Sequence, residues 1–128
     1  MSTNLIEYNA YDTIDIEAKR GCTITIEMEF LDDSGDAEDL TGWTWRWTVK
    51  DIAGGDTWLN LYSPSNGITM TAASGLVTIT VTGTQTRTVP GKRGQHDILG
   101  RNSDGSEIIC PFEGAITFED VISDEPPS

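Results

Sequence analysis

One histidine, His96, stands in the whole 128-residue chain, so any imidazole chemistry has to run through it. Its neighbour Asp97 offers no dyad, because the surrounding residues read as a β-strand, where successive side chains leave on opposite faces. No serine sits in a Gly-x-Ser-x-Gly elbow that would present a nucleophile. His96 is therefore expected at the surface or at a strand edge. Cys22 and Cys110 with a single histidine fall short of a structural zinc set, and no ligand pair has zinc spacing. The acidic run Asp32-Asp33-Ser34-Gly35-Asp36-Ala37-Glu38-Asp39 is the one place where a hard cation could be held. An EF-hand loop would use Asp32, Ser34 and Asp36 at positions one, three and five. It would then need Gly where Ala37 stands and Glu where Trp43 stands, so the match fails. A plain solvated turn is the expectation, with a weaker calcium site as the alternative. The remaining acids fall in turns or on wet strand faces, and no pair stands out for glycoside hydrolysis. No catalytic residue, metal ligand or cofactor is expected.

Four tryptophans supply the other unusual chemistry. Trp43, Trp45 and Trp47 recur at strand period. Large aromatics so spaced fill a sandwich core more often than they form a sugar-stacking platform, and each buried indole N–H then needs a partner. Trp58 lies outside that run, beside a Gly-rich turn, and is the better candidate for an exposed partner contact. A carbohydrate-binding module would expose coplanar rings such as Trp58 and Tyr62.

The elements that must carry these residues are strands. Cys22, Ile24, Ile26, Met28 and Phe30 alternate with Thr and Glu, which gives one face to a core and one to water. Trp43 to Val49 and Val77 to Val81 repeat the pattern. Shorter pieces do so at Ile14, Ile16 and Ala18; at Ile68 and Met70; at Ile98; at Ile108 with Cys110; and at Ile116 with Phe118. Turn signals such as Asp33-Ser34-Gly35, Gly54-Gly55-Asp56, Pro90-Gly91 and Asn102-Ser103-Asp104-Gly105 separate the runs. No stretch keeps helical period for three turns, so little or no helix is expected. About eight short strands with such turns describe an all-β, immunoglobulin-like antiparallel sandwich, with a small barrel as the alternative. The spacing divides the chain into an N-terminal arm (1–11), the sandwich (12–122) and a C-terminal tail (123–128).

The two cysteines flank the Trp-rich strand as in a disulfide-bridged immunoglobulin domain. However, Met1 to Ala10 has neither a basic start nor an apolar core typical of a secretory signal, and Cys22 is in phase with the apolar face. Both cysteines are therefore expected as reduced thiols, Cys22 as a small buried hydrophobe. No apolar run approaches the length of a membrane span. The formal charge of −13 argues against nucleic-acid binding, which draws its affinity from Lys and Arg on phosphates. Charge is also unevenly distributed. Residues 1–39 carry eleven acids against Lys19 and Arg20, residues 40–105 four acids against six bases, and residues 106–128 six acids and no base. Acidic ends around a weakly basic middle keep a surface solvated, and they also permit complementarity between subunits or partners.

Several motifs together resemble a known family. Gly21 with its alternating strand, then Asp39-Leu40-Thr41-Gly42 leading into Trp43–Lys50, resembles the N-terminal domain of phage baseplate upper proteins and related tail modules. Gly75-Leu76-Val77-Thr78-Ile79-Thr80-Val81 is similar to that family's Gly-x-Val-x-Ile strand. Val89-Pro90-Gly91 followed by Asp97-Ile98 is similar to its Leu-Pro-x-Gly-x-Tyr-x-Tyr-Asp segment. Asp104-Gly105 and Gly114–Phe118 match its closing pair of strands. The likeness spans about residues 12–122 and departs where His96 replaces an aromatic residue of the family, which puts one core contact in question.

The resemblance implies an assembly and attachment module without catalytic residues. Family members continue into a fibre or receptor-binding region, whereas the matched strands here end near Val121, which implies an adaptor or decoration piece. The expected partners are other virion structural proteins and further copies of the chain, with neither nucleic acid nor membrane, in a virion assembled in the host cytoplasm. A carbohydrate- or partner-binding sandwich and a capsid decoration protein are the alternatives. Leu5, Ile6, Tyr8 and Tyr11 give the N-terminal arm apolar anchors, with which it could add a strand to a neighbour's sheet edge or lie in a groove.

Overall fold

The computed structural model describes residues 12–32, 34–52, 55–63 and 66–120. Alternating β-branched and aromatic residues form strands in chain order: β1 (Asp12–Thr13), β2 (Ile16–Lys19), β3 (Ile24–Glu29), β4 (Thr44–Asp51), β5 (Thr57–Tyr62) and β6 (Ile68–Thr71). A 3₁₀ turn (Ala72–Ser74) leads to β7 (Leu76–Val81). A five-residue helix α1 (Gly83–Arg87) then precedes β8 (Arg93–Arg101), β9 (Ile108–Ile109) and β10 (Phe112–Glu119). Helix α1 starts on a capping box: the Thr82 side chain accepts from the Gln85 backbone N–H, and the Gln85 side chain accepts from the Thr82 N–H.

Two sheets form a sandwich. The larger runs β1-β10-β8-β4-β5, with β2 also on β10 and β9 on β8; the smaller runs β3-β7-β6. In immunoglobulin lettering these are the A-G-F-C-C′ and B-E-D sheets, the first carrying the extra C′ strand of variable-type domains. The first strand pairs in parallel with the last: Ile16 faces Ile116 and Lys19 faces Glu119.

The inward residues meet as their alternation predicts. In the small sheet Ile24, Ile26 and Met28 lie opposite Val81, Ile79 and Val77, and all six are buried. The large sheet contributes Trp45, Trp47, Val49, Ile98, Ile116 and Phe118. Each buried indole has a partner for its N–H: Trp45 Nε1 donates to Met70 Sδ at 3.2 Å and Trp47 Nε1 to His96 Nδ1 at 3.2 Å. Trp43 is half-buried and stacks on Trp45 at 5.7 Å. Gly100 makes room for Trp45, since a Cβ there would lie 2.3 Å from the indole.

The Asp-Leu-Thr-Gly motif is the turn that aims β4. Asp39 Oδ1 accepts from the Thr41 N–H at 3.0 Å and from its hydroxyl at 2.6 Å. Leu40 is buried, and Gly42 supplies a φ of +85° that other residues resist. Arg20 ties three segments together. Its guanidinium donates to the carbonyls of Val89 (3.0 Å), Gly91 and Phe118 (3.4 Å) and to the Asp120 carboxylate (2.9 Å).

Two expectations need correction. Cys22 is exposed, because Arg20 and Gly21 turn the chain (the Cys22 N–H donates to the Lys19 carbonyl at 3.1 Å) and β3 starts only at Ile24. Ile108 is 64% exposed, and its neighbour Ile109 packs against the core instead. The two-residue β9 pairs only with the end of β8, so the phase read from Ile108 to Cys110 does not carry through.

Candidate functional site

His96 is buried, with 3% of its surface exposed, which corrects its expected place at a surface or strand edge. Strand β8 lies inside the large sheet, and His96 is flanked by Val49 on β4 and Gly114 on β10. Its Nδ1 accepts the Trp47 indole N–H, so the ring proton sits on Nε2, which donates to the Ile14 carbonyl at 2.8 Å. Trp47 and Phe112 pack around the ring at centroid distances of 5.9 and 5.5 Å. Burial lowers the imidazole pKa, against the opposing pull of the Ile14 carbonyl and of Asp97, Asp15 and Glu113. Both nitrogens are committed within the fold, and neither is left to take a proton from a substrate. His96 thus fills a core position, pinning β4, β8 and the chain between β1 and β2.

Trp58 is half-buried rather than an exposed contact. Its ring lies over Gly91 and Gly94 and meets Phe118 edge-on at 6.3 Å. The cause is a bulge: Val49 pairs with Leu59 and Lys50 with Thr57, which leaves Trp58 as the extra residue. Bulges re-aim side chains in this way. Leu5, Ile6, Tyr8 and Tyr11 lie outside the described residues.

In the acidic loop, Asp32 and Asp39 turn their carboxylates onto nearby backbone N–H groups. Asp32 Oδ1 accepts from the N–H groups of Ser34 (2.9 Å) and Asp36 (3.0 Å). The Thr41 hydroxyl and N–H hold the Asp39 pKa below its usual range. Among the described residues, no group of three or more His, Cys, Asp or Glu side chains is placed to hold a metal ion. Both cysteines are free thiols, with Cys110 half-buried and its pKa raised first by burial, then by Asp97 and Glu113.

The feature that sequence reading missed is the outer face of the large sheet. Tyr62, Arg46 and Leu99 form one cross-strand row, while Asn60, Thr48, Asp97 and Glu113 form the next. Lys50 and Gln95 follow as a third. Arg46, Thr48, Lys50, Leu99, Asp97 and Glu113 of these rows line an open depression of about 510 Å³. Around it Tyr62, Leu99 and Ile52 are 46%, 41% and 51% exposed. Asp97 and Glu113 stand directly opposite each other, a repulsive arrangement. Among the described residues, neither carboxylate forms an ion pair. Register makes this pair, and the sequence separation of sixteen residues gave no sign of it.

No family model matches the chain, and no curated protein matches it. Solved structures do. A chicken TCR structure is similar with a TM-score of 0.50 at 11% identity, over 88% of this chain and 56% of that one. The N-terminal domain of phage TP901-1 ORF48 aligns with a TM-score of 0.47 at 10% identity, over 90% of this chain and 98% of that one. The fold is widely shared, since 255 solved chains match, and a likeness at such identity speaks to architecture alone. The chain has an immunoglobulin-like all-β fold.

Proposed function

We propose that the chain is a structural protein of a phage particle, a tail, baseplate or fibre adaptor that acts by protein–protein assembly and not by catalysis. The observation that carries this reading is the ordered set of motifs shared with the baseplate upper protein family, each of which has a structural task here. Asp39–Gly42 turns the chain into β4, Gly75–Val81 forms β7, Val89–Gly91 leads to β8, and Gly114–Phe118 is the body of β10. The open outer face, with apolar side chains among mixed charges, suits association with a protein better than capture of a small substrate. A glycan platform is less favoured, because Trp58, one of its two candidate rings, packs on Phe118.

The protein would be assembled in the host cytoplasm and retained in the virion. Particles purified on a density gradient should carry the chain at a fixed copy number that survives repeated banding. Its absence from banded particles, with the protein left in the soluble fraction, would overturn the reading.

A further inference from the structure

We infer that His96 is an acid-sensitive latch: the neutral ring holds the first strand on the large sheet, and protonation of the ring lets that strand go. This inference goes beyond the assembly reading above and does not rest on it.

The latch sits at a break in a strand. β1 and β2 pair with β10 in one parallel register, Thr13 with Glu113 and Ile16 with Ile116, so they are a single edge strand interrupted at Ile14 and Asp15. Inside the break the Ala115 N–H turns to Asp15 Oδ1 at 3.0 Å in place of a backbone carbonyl. The Ile14 carbonyl is thereby left to His96 Nε2, at 2.8 Å. Gly114 makes room for this arrangement, since a Cβ there would run into that carbonyl. His96 therefore supplies the hydrogen bond that the strand ladder lacks at this point.

A second ring proton has no acceptor in this site. Nδ1 accepts the Trp47 indole N–H at 3.2 Å, and an imidazolium would aim a donor at that donor where only 3% of the residue is exposed. The charged groups around the ring are Asp97 on its own strand, Asp15 in the break and Glu113 on β10. None of them bonds to it, and burial outweighs their attraction. β4 faces it with Trp47 and Val49, and β10 with Phe112 and Gly114, none of which titrates. A charged ring must therefore leave the site, and one of its two anchors must yield. Trp47 is fully buried on β4, which is paired on both sides, by β8 and by β5. Ile14 belongs to an edge strand held on one side only, and weakly held edge segments open at lower cost than central strands. The first strand is the part that lets go, and its release uncovers the edge of β10.

Native-state hydrogen exchange of the full chain in low urea tests the latch. Between pH 7.5 and 5.5, after correction for intrinsic exchange rates, the amides of Ile14 and of β2 should lose about tenfold in protection. That factor belongs to an imidazole that stays neutral when latched and titrates near pH 6.5 when released. The same amides should exchange faster than those of Ile26 and Ile79 in the small sheet, and with less dependence on urea, which marks the opening of one strand and not of the whole domain. In His96→Gln, which keeps a donor and an acceptor, their protection should not change with pH. First-strand amides that keep their protection at pH 5.5, that open only together with Ile26 and Ile79, or that lose the same tenfold in His96→Gln overturn the inference. Titration of the wild-type imidazole by NMR gives a reading that needs no variant. The ring of the folded protein should remain the Nε2–H tautomer at pH 6.5, and a ring that is half protonated there or above contradicts the latch.

Discussion

His96 shows what residue-level chemistry does here. It is held neutral between Trp47 and the Ile14 carbonyl, and its pKa is lowered from 6.5 chiefly by burial. In the unfolded chain the imidazole takes a proton near pH 6.5, while the native state resists it until lower pH. Its contribution to stability is therefore complete above pH 6.5 and declines as pH falls below that value. The slope approaches about 1.4 kcal/mol per pH unit at most. Asp39 and Asp104, with pKa values lowered from 3.8, lose their contributions only below that pH, outside this window. His96→Gln keeps an acceptor and a donor but cannot titrate. Urea unfolding from pH 7.5 to 5 should show the slope in the wild type and not in the variant; a slope kept by His96→Gln contradicts this account. The thiols give a second check. Exposed Cys22 should be alkylated quickly in the native protein, and half-buried Cys110, its pKa raised, slowly. Unfolding without reductant should release both for labelling, and a mass two units low with no label would reveal a disulfide. The burial of Trp45 and Trp47 was legible from their spacing, because strand period assigns a face. The environment of His96 was not, because its partners Trp47 and Ile14 are 49 and 82 residues away and only sheet pairing brings them together.

At the scale of elements, alternation in β3 and β7 carried nearly all the needed information, since a one-residue slip would turn Ile24, Ile26 and Met28 outward. Ile26, 1% exposed opposite Ile79, should cost about 2–5 kcal/mol when truncated to Ala, measured by chemical denaturation. A cost near zero would mean that the small sheet packs otherwise. Errors arose where local geometry breaks the period. The turn at Arg20–Gly21 uncouples Cys22 from β3, and the bulge opposite Val49 and Lys50 turns Trp58 onto Phe118. Gly21, with a φ of +87°, marks the first break, whereas the bulge at Trp58 has no residue signature that distinguishes it from continued alternation. The Asp39–Gly42 turn was the opposite case. Its side-chain hydrogen bonds and its left-handed glycine follow from residue type, so the motif pointed directly to the start of β4.

At the scale of the molecule, sequence gave an all-β sandwich, and pairing resolved the alternative of a small barrel into two separate sheets. Charge bookkeeping along the chain found acidic ends and a weakly basic middle, but not the face on which that middle is displayed. The fold supplies it by setting β4 and β8 side by side in the sheet of β10, so bases distant in sequence come to share one surface with Leu99 and Tyr62. A strongly acidic domain with one near-neutral, partly apolar face is suited to a fixed place in an assembly. The most direct test is a cryo-EM map of the intact particle. The account predicts sandwich density at full occupancy, with the Tyr62–Arg46–Leu99 row covered by a neighbouring protein of the particle. A particle without that density, or with the outer sheet face open to solvent in every copy, would contradict it.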